Sequence, residues 1–95
     1  MAEPKLSLAD VVQIARHFRL QWEEVQQAWV LLYPEGMVKL SETAGEILKR
    51  VDGVISISAV VSNLEQTFPG VDLSQDVLDF LEVAYEHGWI RPKTQ

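Results

Sequence analysis

One apolar run constrains this sequence more than any other feature: Trp29-Val30-Leu31-Leu32-Tyr33, which is cut off by Pro34-Glu35-Gly36. β-Branched and aromatic residues favour strands, and a strand that is apolar on both faces is typical of a central, covered position. Pro presets the first residue of a turn, and Gly accepts a positive φ at the exit of a three-residue hairpin loop. The pattern therefore predicts a central strand followed by a tight reversal.

Further strands are expected on both sides of this run. The residues from Phe18 to Trp22 alternate between apolar and polar, which is the period of a half-buried strand, and Glu23 to Gln27 indicate a turn. A third strand should cover Met37 to Leu40. Three consecutive antiparallel strands leave the first and the third at the edges, and Lys39 is the only charge protecting the third. We expect that edge to be free to pair with another chain.

Three helices are expected after the strands, over residues 42–50, 57–68 and 73–87. Ser41 should cap the first helix, and either Ser56 or Ser58 the second. Asp72 and Gln75 have the spacing of a capping box for the third.

The two ends of the chain carry weaker patterns. Ser7 followed by Asp10 resembles a capping pair and predicts a short N-terminal helix over residues 11–15. Gly88 should terminate the third helix, and Trp89-Ile90 would then add a short extended piece. We expect one domain over residues 1–95, with residues 1–16 and 91–95 loosely ordered.

This order of elements predicts an α+β domain with a three-stranded antiparallel sheet followed by three helices, similar to a winged helix-turn-helix. Such domains often bind DNA. The net charge of −6 argues against nucleic acid, and the third helix contains acids but no Lys or Arg. The acids of this helix are Asp76, Asp79, Glu82 and Glu86.

Residues that carry chemistry are scarce. Cysteine is absent, and we expect His17 and His87 to lie at opposite ends of the domain, so we expect no catalytic residue, cofactor or metal site. Gly36 and Gly53 belong to no phosphate-binding glycine run. The start of the sequence lacks the pattern of a secretory signal, and no apolar run is long enough to cross a membrane. The expected location is the cytoplasm.

The predicted third helix has a wider apolar surface than a one-sided core stripe needs. Its apolar residues are Leu73, Val77, Leu78, Phe80, Leu81, Val83, Ala84 and Tyr85. Two interpretations stay open. In one, the sheet and the other helices cover this surface, with or without dimerisation; in the other, part of it lines a groove. Beside a free strand edge, such a groove would accept an extended peptide whose backbone continues the sheet.

Several segments, in the same order along the chain, resemble the PqqD family of pyrroloquinoline quinone biosynthesis proteins. They are Arg19–Glu23, Val30–Leu40, Thr43-Ala44, Glu46–Leu48, Arg50–Gly53, Asp76-Val77, Phe80-Leu81 and Gly88–Ile90. The resemblance covers roughly residues 17 to 90.

This resemblance implies a domain that binds the precursor peptide PqqA and works with the radical-SAM enzyme PqqE. Related domains hold a leader peptide as an added strand between the third strand and the third helix. The implied peptide-binding residues here are Met37, Val38, Lys39, Leu40, Asp76, Val77 and Phe80. Asp76 would pair with a basic peptide residue. Val38→Pro is expected to remove an edge N–H, and Phe80→Asp to place an unpaired charge in the groove.

Two hypotheses about function therefore stand side by side. The first is a non-catalytic peptide adaptor that holds PqqA for PqqE and performs no chemistry itself. The second is a structural or regulatory homodimerisation domain, in which the same edge and groove pair with another copy.

Overall fold

Five strands and three helices form the described part of the chain, residues 5–93, in the computed structural model. In chain order they are β1 Val12–Ile14, β2 Arg19–Glu23, β3 Ala28–Tyr33, β4 Gly36–Lys39, α1 Glu42–Leu48, α2 Ile57–Thr67, α3 Ser74–Glu86 and β5 Ile90–Pro92. The predicted α+β class is confirmed, and the likeness to a winged helix-turn-helix stays a prediction.

Strand β3 is central in an antiparallel sheet of order β2-β3-β4. Leu31 is paired with Leu20 on β2 and Val38 on β4, and all three side chains pack in the hydrophobic core. Val30 points to the opposite face and is nevertheless fully buried. The prediction of a central strand is therefore confirmed, and the face that was expected to be only partly shielded is covered at Val30.

The turn between β3 and β4 is tighter than predicted. Tyr33 pairs directly with Gly36, so the loop contains only Pro34 and Glu35. Gly36 is a strand residue and is not among the positive-φ glycines of the described chain. The expected three-residue loop was wrong because the pairing of β3 with β4 continues to the residue next to the turn.

The N-terminal segment is a strand and not the predicted helix. Its residues Val12–Ile14 pair antiparallel with Ile90–Pro92 in a second, two-stranded sheet. The N–H of Ala15 donates to the carbonyl of Trp89 at 2.8 Å and extends the ladder. The loose order predicted for residues 1–16 and 91–95 stays a prediction, and residues 1–4 and 94–95 lie outside the described residues.

Local chemistry explains why the helix prediction failed. The Asp10 carboxylate accepts from the N–H of Ser7 at 2.8 Å, and the N–H of Asp10 donates to the carbonyl of Ser7 at 3.0 Å. These bonds close a turn and do not cap a helix. The β-branched residues that follow prefer extended backbone, and burial of Val12 then selects a strand.

The helix starts are confirmed at two of three positions. The Ser41 hydroxyl accepts from the N–H of Ala44 at 3.1 Å, and the Ser56 hydroxyl accepts from the N–H of Ala59 at 3.2 Å. The capping box predicted for α3 was wrong. Asp72 accepts from the N–H of Ser74 at 3.1 Å and from its hydroxyl at 2.8 Å, because an Asp side chain readily closes a turn two residues ahead.

Helix α1 approaches the sheet closely at Gly45. A Cβ atom at this position would lie 2.7 Å from Cδ1 of Trp29, so the absence of a side chain allows the close contact. We expect Gly45→Ala to lower the free energy of unfolding by about 1–3 kcal/mol, in spite of the higher helix propensity of Ala. Urea denaturation measures this, with exposed Ser62→Ala as a control that should stay within about 0.5 kcal/mol of the parent. Unchanged stability of Gly45→Ala would show that α1 moves away freely.

Candidate functional site

Strand β4 has hydrogen-bonding partners on one side only, because β3 is its sole neighbour in the described sheet. The N–H of Leu40 donates to the carbonyl of Trp29 at 3.0 Å. This bond shows which residues of β4 form hydrogen bonds with β3. In an antiparallel ladder, hydrogen-bonded residue pairs alternate with pairs that are not hydrogen-bonded. Val38 lies two residues before Leu40, so it also forms hydrogen bonds with β3. The N–H and C=O groups of Met37 and Lys39 consequently point away from the sheet.

This pattern of hydrogen bonds corrects one prediction. The N–H of Val38 lies inside the sheet, so Val38→Pro would break the pairing with β3 and would not remove a free edge group. The sequence indicates which strand is at the edge. It does not fix the register, and a shift of the pairing by one residue would exchange the residues that bond to β3 with those that point outward. The side chains follow the same alternation: Leu40 is buried and Val38 half-buried, whereas Met37 is 46% exposed.

A cavity of about 400 Å³ lies between α1, the end of α2 and the start of α3. Its lining residues are Glu42, Thr43, Glu46, Ile47, Leu64, Phe68, Leu73, Asp76 and Val77. Ile47, Leu64 and Val77 are buried and form an apolar floor, while three carboxylates contribute to the wall. Glu42 comes three residues after the end of β4, so one wall of the cavity begins where the chain leaves that strand. We call this the acidic cavity.

The structure brings together only some of the predicted site residues. Asp76 and Val77 line the acidic cavity, whereas the β4 residues 37–40 and Phe80 do not. Phe80 is half-buried and packs against the core. The cavity is thus formed by residues of the three helices and their ends, and the open edge of β4 is a separate feature. The assignment of peptide binding to these residues stays a prediction.

One flank of α3 extends the cavity wall along the helix. Asp76, Phe80 and Val83 follow one another at spacings of four and three residues, so their side chains share this flank. Val83 is 45% exposed, although it is a large apolar residue. Sequence reasoning missed Val83 and Leu73 as site residues, but their spacing from Asp76 and Phe80 contained the signal.

Glu46, on the cavity wall, is already paired. The Arg50 guanidinium donates to its carboxylate at 2.9 Å, and the Lys49 ammonium lies at 3.4 Å. The hydrogen bond from Arg50, aided by Lys49, holds the pKa of Glu46 below its usual value. Arg50 also donates to the Asn63 side chain at 2.6 Å and to the Thr67 hydroxyl at 3.3 Å, and it therefore joins α1 to α2.

Removal of this guanidinium should make the protein less stable and change its response to acid. We expect Arg50→Met to lower the free energy of unfolding at neutral pH by about 1–3 kcal/mol. Because the folded pKa of Glu46 is lowered, its stabilisation is present above the ordinary value of 4.5 and is lost as the pH falls through the folded pKa. The difference in the free energy of unfolding between the parent and Arg50→Met should therefore become smaller in acid.

Urea denaturation at several pH values measures both effects, and Lys49→Met is the matched control. The contact of Lys49 with Glu46 is longer and more exposed than that of Arg50, so Lys49→Met should lower the free energy of unfolding less than Arg50→Met does. If the free energies of unfolding of the parent and Arg50→Met differed by the same amount across the acid range, the ion pair assigned to Arg50 and Glu46 would be contradicted.

Two other carboxylates at the cavity remain available. Within residues 5–93, Glu42 and Asp76 form neither an ion pair nor a side-chain hydrogen bond, so a cationic group near the cavity would be attracted. Across the same residues, no group of three or more His, Asp or Glu side chains is arranged to hold a metal ion. In that part of the chain no helix is both long and apolar enough to span a bilayer.

The small α+β domain described above matches the fold of a solved recognition element. The NMR structure of the PqqD truncation of Methylobacterium extorquens PqqCD, described as a stand-alone recognition element for ribosomally synthesized and post-translationally modified peptides, aligns with a TM-score of 0.77. The sequences are 30% identical, and the match covers 93% of this chain and 96% of that one.

Sequence comparisons give the family. The model for coenzyme PQQ synthesis protein D (PqqD) matches residues 28–90. A PqqA binding protein of Azotobacter vinelandii is 54% identical over 85 residues, which cover 88% of this chain and 92% of that protein. A PqqA binding protein of Klebsiella pneumoniae is 47% identical over 83 residues, or 84% and 88% of the two chains. The chain belongs to the PqqD family.

Proposed function

We propose that this chain binds the precursor peptide PqqA as an added strand along β4 and presents it to the radical-SAM enzyme PqqE in the cytoplasm. The observation that carries the proposal is the pair of outward-facing backbone positions, Met37 and Lys39, on the strand that leads into the wall of the acidic cavity. The names of the relatives support the identity of the peptide, since they are PqqA binding proteins.

The two features would act on different parts of the peptide. Its backbone would exchange hydrogen bonds with Met37 and Lys39, which gives affinity with little dependence on sequence. Alternate peptide side chains would point toward α3, where Phe80 and Val83 offer apolar contacts and the cavity floor accepts an apolar group. A basic residue next to that group would meet the carboxylate of Asp76. Val38, Leu40 and Val77 would hold these elements in place from the core.

In this proposal the domain contributes binding and no bond-making chemistry. Holding one end of PqqA would raise the effective concentration of its reactive part at the enzyme. The arrangement of the described residues fits this role, because the acidic cavity contains carboxylates and apolar groups but neither of the two histidines. The chemistry would belong to PqqE.

Homodimerisation is the second candidate function, and the same open edge favours it. A free strand that carries an exposed Met37 can pair with its counterpart in another copy. Light scattering with and without PqqA separates the two functions. A monomer that forms a one-to-one complex supports the adaptor, whereas a dimer that ignores the peptide supports homodimerisation.

Calorimetric titration with synthetic PqqA tests the adaptor and the role of the cavity. We expect Asp76→Asn to weaken binding by about threefold to tenfold, because a charge-assisted contact is lost while the shape of the side chain is kept. Asp79→Asn is the matched control on the same helix, since the Asp79 carboxylate already accepts from the Gln75 side chain at 2.8 Å. Equal effects of the two substitutions would argue against a specific contact at Asp76.

A further inference from the structure

A basic surface lies at the end of the domain formed by β1 and β5. Two adjoining hollows of about 530 and 410 Å³ share three lining residues, Arg16, Tyr85 and Arg91. We call these three residues the arginine surface. It has no residue in common with the acidic cavity.

The fold brings the two arginines together from distant parts of the sequence. Arg91 lies on β5, paired with Gln13 of β1, and Arg16 lies in the turn that follows β1. The hydrogen bond between Ala15 and Trp89 continues this pairing to the edge of the turn. The position of both guanidinium groups beside Tyr85 therefore depends on the strand pair β1–β5.

The charges of both arginines are uncompensated in the described structure. Both residues are exposed, and within residues 5–93 neither side chain forms an ion pair or a hydrogen bond. Lys5 adds a third positive charge, with its ammonium group 5.8 Å from the centre of the Tyr85 ring. The Glu82 carboxylate of α3 accepts from the N–H of Leu6 at 2.6 Å and keeps its negative charge next to Lys5, but within residues 5–93 it forms no ion pair with either arginine. This concentration of positive charge stands out in a protein of net charge −6.

The arginine surface and the acidic cavity lie on different flanks of α3. Tyr85 shares its flank with Leu78, seven residues earlier, whereas Asp76, Phe80 and Val83 share the other flank. A peptide along β4 would therefore leave Arg16 and Arg91 accessible. One domain can then hold two ligands of opposite charge at the same time.

We propose that the arginine surface is a second binding site, which takes an acidic segment of a protein partner. Guanidinium groups bind carboxylates through paired hydrogen bonds, and the half-buried Tyr85 ring, which lines the same two hollows, offers an apolar contact. A segment with alternating acidic and aliphatic residues fits this arrangement. The site is distinct from the peptide edge of the proposed function and would serve a partner that binds while that edge is occupied.

The test uses a short fluorescent peptide of alternating glutamate and leucine, with binding followed by fluorescence anisotropy at low salt. We expect Arg16→Gln and Arg91→Gln each to weaken binding by about threefold to tenfold. Lys49→Gln removes one positive charge from another part of the surface and should leave binding within about twofold. Neither arginine substitution should alter the affinity for PqqA.

Amide NMR of the same titration locates the bound peptide. Shifts confined to residues 13–18 and 85–92 support the proposal. Shifts spread over every Lys and Arg, or equal weakening by Lys49→Gln, would overturn it in favour of unspecific charge attraction. Displacement of the peptide by inorganic phosphate at matched ionic strength, in place of chloride, would also overturn it, because the surface would then be a simple anion site.

Discussion

Lys39→Pro is expected to weaken the binding of PqqA by about tenfold to a hundredfold. The N–H of Lys39 points away from the sheet, so Pro removes one hydrogen-bond donor and places its ring where the peptide backbone would approach. Together these losses amount to about 1.5–3 kcal/mol. The domain itself should remain folded, because edge strands tolerate Pro at outward-facing positions. Calorimetric titration with synthetic PqqA measures the change.

Two further variants isolate the backbone effect. Lys39→Ala keeps the N–H and should bind within about twofold of the parent, since the exposed ammonium contributes little. Val38→Pro removes a bond between β4 and β3 and should instead reduce stability by about 3 kcal/mol. Normal PqqA affinity in a folded Lys39→Pro variant would eliminate β4 as the peptide edge.

Phe80→Asp is expected to reduce PqqA affinity by more than about tenfold. The ring of Phe80 is half-buried on the flank of α3 that continues from the acidic cavity. A carboxylate there replaces an apolar contact, and a bound peptide would cover it without supplying a partner, which costs about 1–3 kcal/mol or more. The same titration, after circular dichroism has confirmed a folded protein, gives the result.

Stability needs its own control, because Phe80 also packs against the core. Phe80→Ala removes the ring without adding charge and should lower the free energy of unfolding by about 1–3 kcal/mol while weakening binding less than Phe80→Asp. Val25→Asp adds the same charge at a turn residue that is 92% exposed, and it should leave affinity unchanged. If Val25→Asp were as harmful as Phe80→Asp, net charge rather than the groove would control binding.

The elements predicted well are those with a strong local period. The alternation from Phe18 to Trp22 and the apolar run of β3 gave two strands, and serine caps gave the starts of α1 and α2. Strands β1 and β5 have three residues each, and their partners lie about as far apart in sequence as the chain allows. Such short strands form because of long-range pairing and burial, which a local pattern cannot contain.

The candidate site also has features that the sequence predicts and features that depend on the fold. The open edge of β4 was predictable from strand order, but the phase that exposes Met37 and Lys39 depends on the register with β3. The contribution of α1 to the acidic cavity depends on how α1 and α3 each pack against α2, and no single segment encodes that geometry. The resemblance to the PqqD family indicated the strand and the helix, and the apolar spacing of α3 already included Leu73 and Val83, whereas the place of Glu42 in the cavity wall followed only from the fold.

A two-dimensional amide NMR titration with synthetic PqqA tests the central claim most directly. We expect shifts at Met37 and Lys39, along the first turns of α1 and from Asp76 to Val83 on α3, with a size that remains that of one copy plus one peptide. The arginine surface should be unaffected. If the amide shifts of β4 and α3 stayed unchanged at saturating PqqA, peptide binding by this domain would be contradicted.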